Sequence, residues 1–248
     1  PPHGGFFVCK IIDYIDGMKN ILARWGIEFL AVLFGITISL WVEDWRENKD
    51  IQIKIAEDYI NIKQEVEIDI ENIENIILSI EEQINSLKKL IQYNEKKIDF
   101  NDSDVINNLI KITSPTFFGT QTAYNTSVSS GRLNFSKEMS VSNEISLLYE
   151  HFYKRLDTNS QIYDLRNQKL KSDYFMEFFQ VTVGKQEIND SIKSVFFSTK
   201  TRNALYWILE FVENFYIYRL KDTRNQMLKT EQLISEFCAN KFKWNASL

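Results

Sequence analysis

The chain holds few residues whose types and spacing could do chemistry. His3 and His151 are its only histidines. Neither shares ligand spacing with a cysteine or a carboxylate, so no histidine metal site is expected. His151 follows Glu150 and neighbours Tyr149 and Tyr153, a setting in which an imidazole could act as a general base. The favoured reading is a histidine on a helix surface or groove. Glu65, Glu67, Asp69, Glu71 and Glu74 point around a helix rather than converging, and read as its solvated face. Only eight glycines occur, and no G-x-G-x-x-G, Walker loop or G-x-S-x-G is present. Neither a cofactor nor catalysis is expected.

The best candidate for a ligand or partner surface is Phe118, Tyr124, Ser130, Gly131, Arg132, Tyr149 and Tyr153. It gathers aromatic rings, hydroxyls and one arginine in the least regular part of the sequence, where scaffolds tend to place function. The competing and favoured reading is a helix cap at Gly131 over a small core beneath an insert. The run Tyr174-Phe175-Met176-Glu177-Phe178-Phe179 likewise reads as bundle core.

The elements that must position these residues are helical. Proline occurs three times, glycine is sparse, and no alternating strand pattern appears, which predicts an all-α chain. A first segment, 1–24, places Phe7, Val8, Ile11, Ile15, Met18 and Leu22 at spacings of three and four, an amphipathic helix. Residues 25–45 are written for lipid: Trp25 and Trp45 would stand roughly 30 Å apart on a helix, the thickness of the hydrocarbon core. Trp25, Trp41 and Trp45 are the expected interface anchors. The charge-free run, Phe29 to Val42, is short at about 14 residues. Bulky Leu40, Trp41 and Val42 argue against a cleaved signal peptide. Glu28, Ala31, Gly35 and Ser39 fall on one helix line, a candidate helix-pairing face.

From Glu43 to about Lys97 no helix breaker occurs. Tyr59, Ile62, Val66, Ile70, Ile73, Ile77, Ile80, Ile84, Leu87 and Ile91 form an apolar line, widened by Ile76 and Leu90. That width favours packing within one chain over an intermolecular coiled coil. The expected bundle, 46–248, has long helices at about 46–98, 142–181 and 201–241, with a small helical insert at about 104–131. The second helix is expected to bury Ile145, Leu148, Phe152, Leu156, Tyr163, Leu170, Tyr174 and Phe178. The third is expected to bury Leu205, Ile208, Val212, Phe215, Leu220, Leu228, Ile234 and Phe237. The transmembrane helix continues into the first of these, and the bundle is expected to be elongated.

Glu28, Val32, Gly35-Ile36, Ile38, Leu40, Trp45 and Glu47 resemble an uncharacterised bacterial family of single-pass membrane proteins. Its helix reads roughly G-E-x-L-x-V-x-x-G-I-x-I-x-L before a W-N-E-like sequence and a long helical region. Ala123-Tyr124, Ser130-Gly131-Arg132-Leu133, Leu148-Tyr149 and Phe152-Tyr153 are similar to a second pattern of that family. Ser39, Glu43-Asp44 and Arg46 depart from it. The resemblance implies a single-pass topology and supplies no activity.

A net charge of −5 and a pI near 5.3 argue against nucleic acid, which needs a concentrated basic surface. Cys9 and Cys238 are the only cysteines and stand on opposite sides of the expected span, so no disulfide is expected. Lys10, Lys19 and Arg24 balance Arg46, Lys49 and Lys54 across the span. The family's basic N-terminal flank tips orientation toward a cytoplasmic N-terminus in the bacterial inner membrane. The expected partners are the lipid bilayer and a second copy or another membrane protein. The function expected is an interaction or scaffold module, the alternatives being a ligand-binding sensor domain outside the cytoplasm and a membrane-bound enzyme.

Overall fold

The computed structural model describes residues 5–136 and 139–245, with side chains within 25–136 and 139–239. The amphipathic face expected for 1–24, and Cys9, lie outside the described side chains. Helix α1 runs Gly5–Asn94, and the chain divides into two compact units, Pro1–Lys54 and Ile55–Leu248.

In the first unit every described side chain from Trp25 to Asp50 is exposed. Here α1 is long and apolar enough to cross a membrane, with a window of mean hydropathy 1.8. Its hydroxyls bond back to their own helix: Thr37 Oγ1 donates to the Leu33 carbonyl and Ser39 Oγ to the Gly35 carbonyl, both at 2.8 Å. Such bonds satisfy polar groups where no water is at hand.

The second unit is an all-helical bundle, without strands among the described residues. After α1 come α2 (Asp102–Ile110) and α3 (Thr122–Ser129). Asn101 caps α2 by accepting from the Asp104 amide at 3.0 Å, satisfying one of the donors that a helix start leaves open. Gly131 follows α3 at φ 72°, the left-handed position expected of it. A 3₁₀ turn, Arg132–Phe135, comes next. Helix α4 (139–182) is regular over Met139–Leu147 and Lys154–Leu170, and contains π turns at Leu148–Tyr153 and Lys171–Phe175. After α5 (Asp190–Phe196), α6 (199–245) is interrupted once, by a π turn at Val212–Tyr216.

Contacts along the helices fix their directions. Helix α1 meets α6 through Tyr59 and Phe237 (ring centroids 5.2 Å), Lys63 and Glu231 (3.4 Å), Glu81 and Lys221 (2.7 Å), and Glu95 and Tyr206 (2.9 Å). The numbers rise on one helix as they fall on the other, so the pair is antiparallel. Tyr153 of α4 meets Asp69, and Tyr163 meets Gln83, so α4 runs parallel to α1. The insert makes this possible. Thr113 lies at the level of Gln83, Thr120 at Asp69 and Arg132 at Asp58, so the insert is a full leg running back along α1. Gln83 and Asp69 are separated by roughly 21 Å of helix rise. Thr113 to Thr120 covers that distance at about 3 Å per residue, close to full extension. The result is an up-down-up-down bundle whose second leg is half extended chain and half short helix.

The apolar line of α1 is buried as expected, Ile76 and Leu90 included, with Ile70 only half-buried. On α4 and α6 the buried line shifts where a π turn inserts an extra residue. Ile145, Tyr149 and Tyr153 are spaced by fours, and Phe152 is left half-buried. Likewise Tyr216 is fully buried while Phe215 is 52% exposed. Leu228 is also exposed, and Met227 takes the interior place. Tyr174 and Phe237 are half-buried. These positions correct the uninterrupted 3.6-residue pattern expected for both helices.

The π register makes a discriminating prediction. Tyr216→Ala should destabilise the fold by roughly 3–5 kcal/mol as a large buried truncation. Phe215→Ala should stay within about 0.5 kcal/mol, as surface substitutions do. Urea unfolding followed by circular dichroism distinguishes the two. A reversed order would place α6 in the unbroken register.

Candidate functional site

Three carboxylates of α1 face the return leg. Asp58 pairs with Arg132 through two parallel bonds, Nε to Oδ2 at 2.7 Å and Nη2 to Oδ1 at 2.9 Å. A bidentate arginine–carboxylate pair fixes orientation as well as distance. Glu65 accepts from the Ala123 amide at 3.0 and 3.1 Å. Asp69 accepts from the Thr120 amide at 2.9 Å, the Thr120 hydroxyl at 3.1 Å and the Tyr153 hydroxyl at 2.8 Å. Gln121, the residue before α3, makes no side-chain cap of its own. The open donors at the start of α3 are thus met from the neighbouring helix, whose negative charge also suits a helix N-terminus.

Around this clamp the tyrosines stack. Tyr124 lies flat on Tyr149 with ring centroids 4.3 Å apart and planes 6° apart. Tyr149 leans on Tyr153 at 4.9 Å, and Tyr153 meets Phe117 edge-on at 5.4 Å. All four are buried. A Cβ on Gly119 would overlap the Tyr153 ring and touch Phe117, so glycine is what lets the leg approach α4 this closely. The Tyr124 hydroxyl donates to Glu150 at 2.9 Å. The Tyr149 hydroxyl is buried without a hydrogen-bond partner.

One level along, the extended half of the leg is held by its carbonyls. Tyr163 Oη stands 3.0 Å from the Thr113 carbonyl and 2.6 Å from Gln83 Oε1. Asn167 donates to the same carbonyl and to Ser114 Oγ at 2.6 Å. Tyr216 donates to the Pro115 carbonyl at 3.3 Å and stacks on Tyr163 at 4.6 Å. Extended backbone without a sheet partner needs side chains to donate to its carbonyls in this way.

Electrostatics follow from burial. Asp69 is 2% exposed, and desolvation raises its pKa above the ordinary value, against the lowering effect of the Tyr153 and Thr120 bonds. Tyr124 is pushed up to about 12, first by burial and then by its bond to Glu150. Tyr149 and Tyr153 are pushed upward by burial first. Glu150 is held low, chiefly by Lys154. The three tyrosines stay neutral across the physiological range, Tyr124 and Tyr153 as donors to the Glu150 and Asp69 carboxylates.

Of the residues expected to form a binding surface, the structure brings Tyr124, Tyr149 and Tyr153 together, but in the interior. Arg132 is drawn to Asp58. Ser130 is exposed and donates to the Ser127 carbonyl at 3.0 Å. Phe118 is 71% exposed, away from the stack. His151 is exposed, its ring against Phe152 at 5.3 Å. Asp58, Glu65 and Asp69 are the members that residue types alone do not reveal. The burial of Asp69 corrects the reading of that acidic run as solvated. It stands three after Val66 and four before Ile73, on the buried line itself, and that spacing is the available signal. Among the described residues no three His, Cys, Asp or Glu side chains gather to hold a metal ion. In the first unit Glu28, Ala31, Gly35 and Ser39 are all exposed, as are Trp25, Trp41 and Trp45. A Cβ on Gly35 would meet nothing within 4 Å, and Lys49 lies over the Trp45 ring at 5.5 Å.

The clamp predicts a pH signature. The folded state binds the Asp69 proton more tightly than the unfolded chain does. Its contribution therefore favours folding at low pH and is lost as pH rises through the raised value. In an Asp69→Asn variant the amide oxygen could accept from the Thr120 amide and Tyr153, and the amide nitrogen could donate to the Thr120 hydroxyl. This variant should gain melting temperature relative to wild type on going from pH 4 to pH 7, while Asp69→Ala should lose about 3 kcal/mol by orphaning buried donors. An advantage of the asparagine variant that shrinks toward neutral pH would contradict the assignment. Tyr149→Phe should be neutral within about 0.5 kcal/mol, whereas Tyr153→Phe should cost about 1 kcal/mol or more. Denaturant titration of both compares them directly.

The model of DUF6090, a family of unknown function, matches residues 28–205. No curated protein and no solved structure matches the chain. The chain belongs to DUF6090.

Proposed function

We propose that this member of DUF6090 is a membrane-anchored helical module that acts by interaction rather than catalysis. The observation that carries the reading is the fate of the aromatic and hydroxyl cluster. Its tyrosines, its arginine and the carboxylates they meet are engaged with one another. That arrangement serves to hold the return leg in place. A sensor role at Arg132, Tyr124 and Tyr149 would have to break those contacts first. The bundle then offers a stable body, and 25–45 offers the means of placing it at a bilayer.

The span is also suited to pairing with a second copy or another membrane helix. Ala31, Gly35 and Ser39 leave one side of the helix shallow, and the Ser39 hydroxyl is already bonded to the Gly35 carbonyl. Close backbone approach along such a face drives association in lipid, where apolar surface alone gives no preference. On this reading the N-terminus is cytoplasmic and the bundle lies outside the bacterial inner membrane.

The test is cell fractionation with deletion. The full chain should sediment with membranes, resist carbonate and dissolve in detergent, whereas a chain lacking 25–45 should be soluble and keep the bundle's melting temperature. A full chain found in the soluble fraction, or a deletion that fails to fold, would overturn the anchor. Gly35→Leu should weaken self-association in lipid by roughly tenfold, about 1.4 kcal/mol, measured by energy transfer between labelled copies. Unchanged transfer would remove the pairing face while leaving the anchor intact.

A further inference from the structure

Two of the three π turns have a purpose in the bundle. The turn at Leu148–Tyr153 carries Tyr149 and Tyr153 into the stack, and the turn at Val212–Tyr216 carries Tyr216 to the return leg. The third, Lys171–Phe175, buries no residue and passes directly into a 3₁₀ turn, Met176–Phe178. Such irregular turns are frequent at functional sites. A groove of about 380 Å³ lies beside this turn, between the end of α2 and the end of α4, with Lys171 and Phe175 of the turn among its lining residues.

The floor of the groove is apolar and buried, formed by Leu109, Ile112 and Phe178, while Met176 (65% exposed) and Phe179 (58% exposed) stand on its rim. Lys171 is the one charged side chain among its lining residues. Ligand sites are mostly apolar clefts in which a few polar or charged groups fix orientation; here the apolar lining would take a chain and Lys171 would orient the head. Its volume falls within the roughly 300–1,000 Å³ of small-molecule sites.

We propose that the groove binds a single-chain aliphatic carboxylate, with the carboxylate at Lys171 and the alkyl chain along Phe178, Leu109 and Ile112. The lysine sets the sign of the head group, since a cationic head would be repelled by the only charge lining the groove. The exposed Met176 thioether can follow chains of differing shape. The site is independent of the anchor and of the clamp.

Photoaffinity labelling tests it with the full chain in phosphatidylcholine nanodiscs. The probe is dodecanoate bearing a terminal diazirine, and peptides carrying adducts are mapped by mass spectrometry. Adducts should fall within 105–112 and 171–183, and excess dodecanoate should abolish them while dodecyltrimethylammonium should not. Lys171→Gln and Met176→Glu alter exposed side chains, and circular dichroism melting checks that each variant keeps the fold. Each should lower labelling by roughly tenfold, the loss expected for a missing or misplaced charge at an anion's seat. Adducts confined to 25–45, equal competition by the cationic amphiphile, or unaltered labelling of both variants would overturn the proposal. So would competition by phosphatidylglycerol vesicles alone, which would mark a membrane-facing surface instead.

Discussion

The bundle depends on how the extended half of its return leg satisfies its backbone. Residues 113–120 lie against long helices with no strand to share their hydrogen bonds. The helices respond with side chains. Tyr163, Asn167 and Tyr216 donate to the carbonyls of Thr113 and Pro115, and Asp69 and Glu65 accept from the amides of Thr120 and Ala123. Because an unpaired polar group in the interior costs about as much as a lost hydrogen bond or more, these side chains cannot be exchanged for apolar ones singly. The position of the leg in turn makes α1 and α4 parallel, and leaves α6 as their shared antiparallel neighbour.

The π turns follow from the same constraint. A helix of strict 3.6-residue period would present Phe152 and Phe215 inward, and phenylalanine has nothing to donate. One extra residue in each turn brings Tyr153 and Tyr216 to those places, with hydroxyls that reach Asp69 and Pro115. Stacking of Tyr124 on Tyr149 and of Tyr163 on Tyr216 adds apolar contact around the polar bonds. The surface ion pairs between α1 and α6, such as Lys221 with Glu81, are exposed and contribute little beyond register.

Much of this is legible in the sequence, and the exceptions have physical causes. The all-helical class follows from scarce glycine and proline, and the apolar line of α1 from its three-and-four spacing. Gly131 announces its left-handed turn. The sequence reveals the aromatic cluster but not which way it faces. Periodicity assigns faces only while the helix keeps one pitch, and π turns carry no local sequence mark. Asp69 reads as solvated only when residue type is weighed above position: an aspartate on the buried line needs a partner, and its partners lie 51 and 84 residues away. The direction of the return leg is hidden for the same reason, since it is set by those distant bonds. Tyr149 and Arg132, whose chemistry suits a binding surface, are instead engaged within the fold, one in the tyrosine stack and the other on Asp58.

Residues 113–124 form a structural leg of the bundle, held by bonds to α1, α4 and α6. Amide hydrogen exchange on the full chain, read at residue level, tests this directly. The Thr120 and Ala123 amides should exchange as slowly as amides of the flanking stretches of α1 and α4, since opening them requires breaking the clamp. Exchange of those two amides at the rate of unprotected chain, while the helices stay protected, would contradict it.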